Sequence, residues 1–291
     1  MAVPEQVLAA PKFDLQRLID IASAPEFPEQ ASKDWVTDHQ AFAIQMCILY
    51  LVIIFGTKYF MKSRQSFELF YPLNMWNAFL AAFSIAGTVT LLPEFVTTIS
   101  THGFNASYCK RYDFMRGANG FWGWMFILSK MLEMGDTVFL VLRKKPLLFL
   151  HWYHHLLTLI YAFYSYPSSP GFNRWGVNMN FFVHAFMYRY VSFTHYYFIR
   201  SLRIRLPGAV AKFITTLQIL QFAISLIILV HLGVLIFIRK VECDFDVNVF
   251  MLAIFMEGTY LILFINFFLR SYVIGGGKSK YHSERSIQKQ H

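Results

Sequence analysis

Three histidines fall within five positions of FLHWYHHLL, residues 149–157, where all the other residues are apolar or aromatic. His151, His154 and His155 stand at i, i+3 and i+4 and so share one face of a helix. Neutral imidazole is both a nucleophile and a proton shuttle near neutral pH. Burial disfavours the imidazolium, which leaves the attacking nitrogen free. A second imidazole or a carboxylate can accept the other ring N–H and fix the tautomer. The cluster therefore suits nucleophilic and acid–base catalysis. A structural role, hydrogen bonding to neighbouring helices, fits a lone histidine better than three together.

Metal binding is the other alternative, because membrane desaturases and hydroxylases hold iron with histidine boxes. Such a centre draws on several boxes, yet outside this one the apolar stretches contain only His39, His184, His195 and His231, without a clustered repeat. Zinc needs fewer ligands, but imidazoles from adjacent turns of one helix give poor tetrahedral geometry.

Charged groups precede the box in LSKMLEMGDTVFLVLRKK, residues 128–145. Lys130, Glu133 and Asp136 sit inside an apolar run, where an unpaired charge costs about 2.5–3.5 kcal/mol on insertion scales. Lys130 and Glu133, at i, i+3, can neutralise each other on one face. Asp136 points elsewhere and needs a partner from another helix, a histidine being one candidate. These groups read either as a buried ion pair or as the polar wall of a cavity. Two further stripes follow. Asn180, His184 and Tyr188 recur at i, i+4, i+8 in NFFVHAFMYRYVSF, with Arg189 and Tyr190 nearer the end of the run. Thr215, Gln218 and Gln221 recur at i, i+3, i+6 in ITTLQILQF. Each glutamine alone is most simply interhelical glue, worth about 0.6 kcal/mol. Together, the four stripes describe the wall of one shared cavity.

The elements that must position them are membrane helices. Of 291 residues, 56% are hydrophobic and 15% charged, with 32 Phe and 16 Tyr, and the apolar runs are long enough to cross a core about 30 Å thick. Their continuity, without alternation, excludes an outer-membrane barrel. The expected fold is all-α and polytopic, with seven spans at about 39–61, 73–98, 119–142, 148–166, 175–199, 212–238 and 247–270. Residues 1–38 form an N-terminal segment, 39–270 the transmembrane catalytic domain and 271–291 a basic tail. No cleavable signal peptide is legible before the first span. The short linkers predict antiparallel packing of neighbours.

The net charge of +9 resides in clusters between the apolar runs, which fits anchoring and an anionic ligand and gives no sign of nucleic-acid binding. Lys62, Arg64, Arg143–Lys145, Arg200, Arg203, Arg205 and the tail from Arg270 fall on one side, which the positive-inside rule makes cytosolic. Lys110, Arg111, Arg116, Arg239 and Lys240 fall on the other, so the bias is incomplete. The triplet Asn105–Ser107 is a glycosylation sequon on the luminal side. Cys109 and Cys243 lie on that side too, where a disulfide is chemically permitted. The N-terminus is then luminal and the C-terminus cytosolic. A transporter is the reading from another class, since intramembrane charge also marks ion paths, but neither an internal repeat nor paired broken helices is present.

KMLEMGDT (130–137), HWYHH (151–155), NFFVHAFMYRY (180–190) and TTLQILQ (215–221) occur in this order. Together they resemble the signature of the ELO family, the very-long-chain fatty acid elongases or 3-oxoacyl-CoA synthases of the endoplasmic reticulum membrane, over about residues 40–272. The tryptophan and tyrosine inside the box resemble the subgroup acting on saturated and monounsaturated acyl-CoAs. Two departures stand out: Val191 takes the place of a second tyrosine, beside Arg189, and Lys289 lacks the companion of a dilysine retrieval signal. The resemblance implies decarboxylative condensation of acyl-CoA with malonyl-CoA, with no cofactor and no metal, and six helices enclosing an acyl-CoA tunnel. It also implies membrane lipid as surroundings, a homodimer as one assembly, and reductases and a dehydratase as partners in an elongation cycle. On this reading His154 is the nucleophile. His184 and Asn180 stabilise the enolate or oxyanion, and His151, His155, Asp136 and Glu133 orient groups and manage protons. Arg143, Lys145, Lys212 and Arg270 clamp the CoA phosphates, with Tyr188, Tyr190, Thr215, Gln218 and Gln221 lining the site and Lys130 meeting pantetheine or a carbonyl.

Overall fold

The computed structural model describes residues 26–195 and 208–274, with side chains at 26–188 and 210–274. The described residues are helical throughout, without a strand. In chain order they form α1 (Glu29–Asp38), α2 (Gln40–Phe60), α3 (Phe70–His102), the short α4 (Ala106–Cys109), α5 (Gly117–Glu133), α6 (Gly135–Leu142), α7 (Phe149–Ser165), α8 (Asn173–His195), α9 (Gly208–Gly233) and α10 (Val247–Phe268). Wider π-type turns, Val234–Ile238 and Leu269–Ile274, extend the last two.

Helices thus occupy each expected apolar stretch. Four segments, Gln40–Ser63, Phe70–His102, Val210–Ile238 and Val247–Ile274, are long and apolar enough to cross a membrane, with mean hydropathy from 1.7 to 2.6. The helices α5, α6, α7 and α8 are shorter or more polar, and they are among the ones that carry the candidate chemistry. The polarity that weakens their membrane signal is directed inward.

Packing closes a ring. α3 packs on α5, α5 on α7, α7 on α10, α10 on α9, α9 on α8, and α8 back on α3. α2 stands outside it, against α6 and α7, and α1 packs on α2 and α7. Consecutive α7 and α8 make no extended contact. This corrects the expectation of antiparallel packing between all neighbours: an internal cavity keeps that pair on opposite walls. The tightest approach in the ring is α3 to α8, where a Cβ on Gly87 would come within 2.6 Å of the Phe181 ring.

The third expected span is two helices, broken at Met134 between Glu133 and Gly135. Glycine is a poor helix former, and Trp76 of α3 packs on this one so closely that a Cβ would sit 2.9 Å from its ring. Elsewhere local chemistry fixes the ends. Asp246 caps α10 by accepting from the backbone N–H groups of Asn248 at 2.9 Å and Val249 at 3.0 Å. Gly103, at φ +89°, ends α3 in a conformation that costs other residues energy.

At one end of the ring Cys109 and Cys243 form a disulfide across 134 residues. Beside it the buried Arg174 donates to Glu94 Oε1 and Oε2 at 3.1 Å and to the carbonyls of Ser107, Lys110 and Arg111. The guanidinium thus ties α8 to Glu94 of α3 and to the 107–111 segment. Replacing both cysteines by serine should lower stability by about 2–5 kcal/mol, because so long a loop is no longer constrained in the unfolded state. Thermal unfolding of the purified protein with and without reductant checks this; coincident transitions would show that the bridge is dispensable.

Candidate active site

Lys130 and Glu133 lie on one face of α5, and their ion pair is closed at 2.6 Å with both side chains buried. The pair is not isolated. Lys130 Nζ also donates to Asn180 Oδ1 at 2.8 Å and lies 4.1 Å from the Phe126 ring centroid. Glu133 Oε1 accepts from Ser129 Oγ at 3.1 Å, while its Oε2 stands 3.8 Å from His184 Nδ1. A chain of polar groups thus runs Asn180–Lys130–Glu133–His184 between α5 and α8. Lys130 uses up the oxygen of the Asn180 amide, which leaves the amide N–H groups as donors.

Asp136 differs from the expectation. Its oxygens accept from Trp76 Nε1 at 2.6 Å and from Tyr188 hydroxyl at 2.8 Å, and no histidine is its partner among the described residues. Trp76 of α3 and Tyr188 of α8 supply the donors expected of a histidine.

On the opposite wall, the imidazole centroids of His151 and His155 are 4.8 Å apart, and those of His154 and His155 5.4 Å. His151 Nε2 is buried without a protein partner among the described residues. His154 is held among aromatic rings: Tyr260 at 4.7 Å between centroids, Phe264 at 6.3 Å and Phe222 at 6.4 Å. Tyr260 hydroxyl donates to the His154 carbonyl at 2.9 Å and bonds Thr158 Oγ1 at 2.8 Å, tying α10 to α7 at this level.

Two cavities meet here. The first, about 210 Å³, is lined by His151, His154, His155, Asp136, Asn180, His184, Gln218 and Gln221, with Leu148 and Phe267 towards the end where α7 begins. The second, about 100 Å³, is mostly apolar and narrow. It runs between α5, α7, α8, α9 and α10 to Phe114, Met115 and Phe172 at the disulfide end. His154, Asn180, Gln221 and Phe222 line both. From His154 to Ser165, both on the second cavity's wall, α7 advances about 16 Å. α1 closes off that end, with Ser32 Oγ bonded to Tyr166 hydroxyl at 2.9 Å.

The structure therefore gathers the three box histidines, Asp136, Asn180, His184, Gln218 and Gln221 around one chamber, with Lys130, Glu133 and Tyr188 bonded directly behind its wall. Gln218 Nε2 contacts Met187 sulfur at 3.6 Å. Of the remaining expected residues, those with described side chains line neither cavity. Thr215 is buried but bonded to the Ala211 carbonyl at 3.0 Å and Tyr272 hydroxyl at 3.5 Å. Arg143 is half-buried, while Lys145, Lys212 and Arg270 are exposed at the end where α7 begins. Lys212 Nζ sits 5.7 Å from the Phe268 ring centroid. The side chain of Tyr190 lies outside the described residues. Among the described residues no three His, Cys, Asp or Glu side chains converge so as to hold a metal ion.

Three participants escaped the sequence reading. Trp76 and Tyr260 are aromatic residues in aromatic-rich runs and carried no signal. Glu257 did: it is a carboxylate in the middle of the seventh apolar run, the same signal that singled out Glu133. It is buried on the wall of the apolar cavity.

Residues 35–280 match the model of the family described as "ELO: GNS1/SUR4 family". The chain belongs to the ELO family. Long chain fatty acid elongase 1 of Caenorhabditis elegans is 56% identical over 272 residues, covering 93% of this chain and 92% of the relative. Very long chain fatty acid elongase 6 of Drosophila melanogaster is 36% identical over 267 residues, 91% of this chain and 83% of the relative. Very long chain fatty acid elongase 3 of Mus musculus is 34% identical over 269 residues, 92% and 94% of the respective chains. In this ELO-family chain, residues 130–137 lie on α5 and α6, 151–155 on α7, 180–190 on α8 and 215–221 on α9.

Proposed function

We propose that this ELO-family chain is a fatty acid elongase, a 3-oxoacyl-CoA synthase that condenses a long-chain acyl-CoA with malonyl-CoA. One observation carries the reading. His154 stands where a chamber of imidazoles, amides and a carboxylate meets an apolar tunnel, which is where a thioester carbon would lie with its chain in the tunnel.

His154 attacks that carbon: an N–C bond forms, the C–S bond breaks, and CoA leaves as the thiol with the proton shed by the imidazole. Malonyl-CoA then loses carbon dioxide, and the electron pair of the broken C–C bond attacks the acyl-imidazole. The new C–C bond displaces the His154 nitrogen, which takes up a proton from solvent to restore the imidazole, and gives 3-oxoacyl-CoA. The Asn180 N–H groups and His184, held by Lys130 and Glu133, offer fixed donors to the developing enolate and oxyanion in a dry site. His151 and His155 remain to orient His154 and move protons. No metal enters the scheme.

Purified protein given radiolabelled malonyl-CoA and acyl-CoA should incorporate label equally with and without chelator. No incorporation would overturn the reading, and chelator sensitivity would favour a metalloenzyme. Rapid-quench mass spectrometry with acyl-CoA alone should find acylated His154 peptide. An unmodified enzyme that still condenses would replace the covalent step by a one-step reaction with histidine as base.

The exposed basic residues at the chamber end suit the phosphates of CoA, a cytosolic metabolite, so this end is the cytosolic one. The enzyme is then a multi-pass protein of the reticulum membrane. Reversing the charges of Arg143 and Lys145 together should raise the apparent KM for CoA esters severalfold with a smaller change in kcat. An unchanged KM would show that these residues only anchor the fold. The HWYHH box supports saturated and monounsaturated acyl-CoAs as substrates, which an acyl-CoA panel tests.

A further inference from the structure

Among the polar groups on the apolar tunnel that the condensation does not use, two stand without partners. Glu257 of α10 is 8% exposed and has no hydrogen-bond partner among the described residues, and its Oε2 is completely enclosed. Ser225 of α9 is 7% exposed, with an enclosed and unbonded hydroxyl oxygen. Both line the tunnel, as does Thr158 of α7. Their depth follows from helix geometry. Thr158 is four residues beyond His154, Ser225 four beyond Gln221, and Glu257 three from Tyr260. Each therefore lies about one turn, ~4.5–6 Å, further from the chamber than the level of the reacting end.

Buried polar atoms are nearly always bonded, and a carboxyl group without a partner is strongly unfavourable in an apolar surround. A simple hydrocarbon chain has nothing to offer these groups. A hydroxyl on the chain at that depth can donate to Glu257 or accept from Ser225.

We propose that Glu257 and Ser225 form a specificity subsite for acyl-CoAs bearing a hydroxyl group on the chain one helical turn from the thioester. The inference rests on the elongase reading and adds a substrate class to it. A site built to bond a hydroxyl discriminates strongly against the partner that leaves its polar groups unpaired.

The test uses the purified full-length protein, labelled malonyl-CoA and acyl-CoAs of one length, either unsubstituted or with a single hydroxyl moved along the chain. The measured quantity is kcat/KM for each substituted chain relative to the unsubstituted one, within the same enzyme. Wild type should show a narrow window of positions at which the hydroxyl is accepted or preferred. Outside the window it should be rejected by about tenfold or more. Glu257→Leu should lower the ratio inside the window by about tenfold, Ser225→Ala by less, and Glu257→Gln should keep most of it. Rejection of the hydroxyl at every position would assign the two groups to bound water and overturn the proposal. So would a window that survives Glu257→Leu. Should that variant fail to fold, the wild-type position scan and Glu257→Gln decide. Absence of incorporation with the unsubstituted chain would instead sink the elongase reading, before any substituted chain is compared.

Discussion

Replacing His154 by alanine should reduce condensation at least about 10³-fold, the largest loss expected from any single change in the chamber. The side chain would be both nucleophile and leaving group, and no other imidazole among the described residues lies at the junction of the two cavities. His184→Ala should cost less, about 10²-fold, because it removes one stabilising donor and leaves the covalent route open. The double variant should be no slower than His154→Ala alone, since groups that act as a unit are not additive. Initial rates with labelled malonyl-CoA, on protein shown to be monodisperse, check all three. A His154→Ala enzyme within tenfold of wild type would remove the residue from the chemistry.

Lys130→Met should produce the largest loss of stability. It leaves the Glu133 carboxylate buried, with Ser129 and a histidine 3.8 Å away as its near partners among the described residues. Breaking a buried pair in this way costs about 3–5 kcal/mol. The double variant Lys130→Met, Glu133→Met should recover much of that stability, because a well-packed apolar pair often equals or exceeds an ionic one. It should not recover activity. Asn180 and His184 would have lost the groups that fix them, and misplaced donors stabilise an oxyanion poorly. Thermal unfolding and rate measured on the same three preparations separate the effects. A single variant as stable as wild type would mean that Glu133 had found another partner or a proton.

The positions of the helices were legible because apolar runs bounded by basic clusters leave little choice, and the spacing of His151, His154 and His155 made them face one way. The Lys130–Glu133 pair was legible for the same reason, being local to one helix. What escaped was everything set by contacts between helices. Nothing in Gly135 alone says that Trp76 will pack against it, or that Asp136, though on the chamber wall, will take its bonds from Trp76 and Tyr188. Nor do the linkers reveal that α7 and α8 face each other across a cavity. Glu257 was visible but alone in its run, and its meaning depends on the neighbouring Ser225, which only the ring places beside the same tunnel.

The triplet Asn105–Ser107 has its ends in opposite situations: Asn105 is exposed, whereas Ser107 is 0% exposed. The Ser107 hydroxyl donates to the Phe104 carbonyl at 2.6 Å and accepts from Trp175 Nε1 at 2.9 Å, and Arg174 holds its carbonyl. A transferase that must handle the whole triplet finds it intact only before α4 docks on α8. Any sugar on Asn105 is therefore a mark of the nascent chain, and its occupancy would record how quickly this corner of the protein shuts during synthesis.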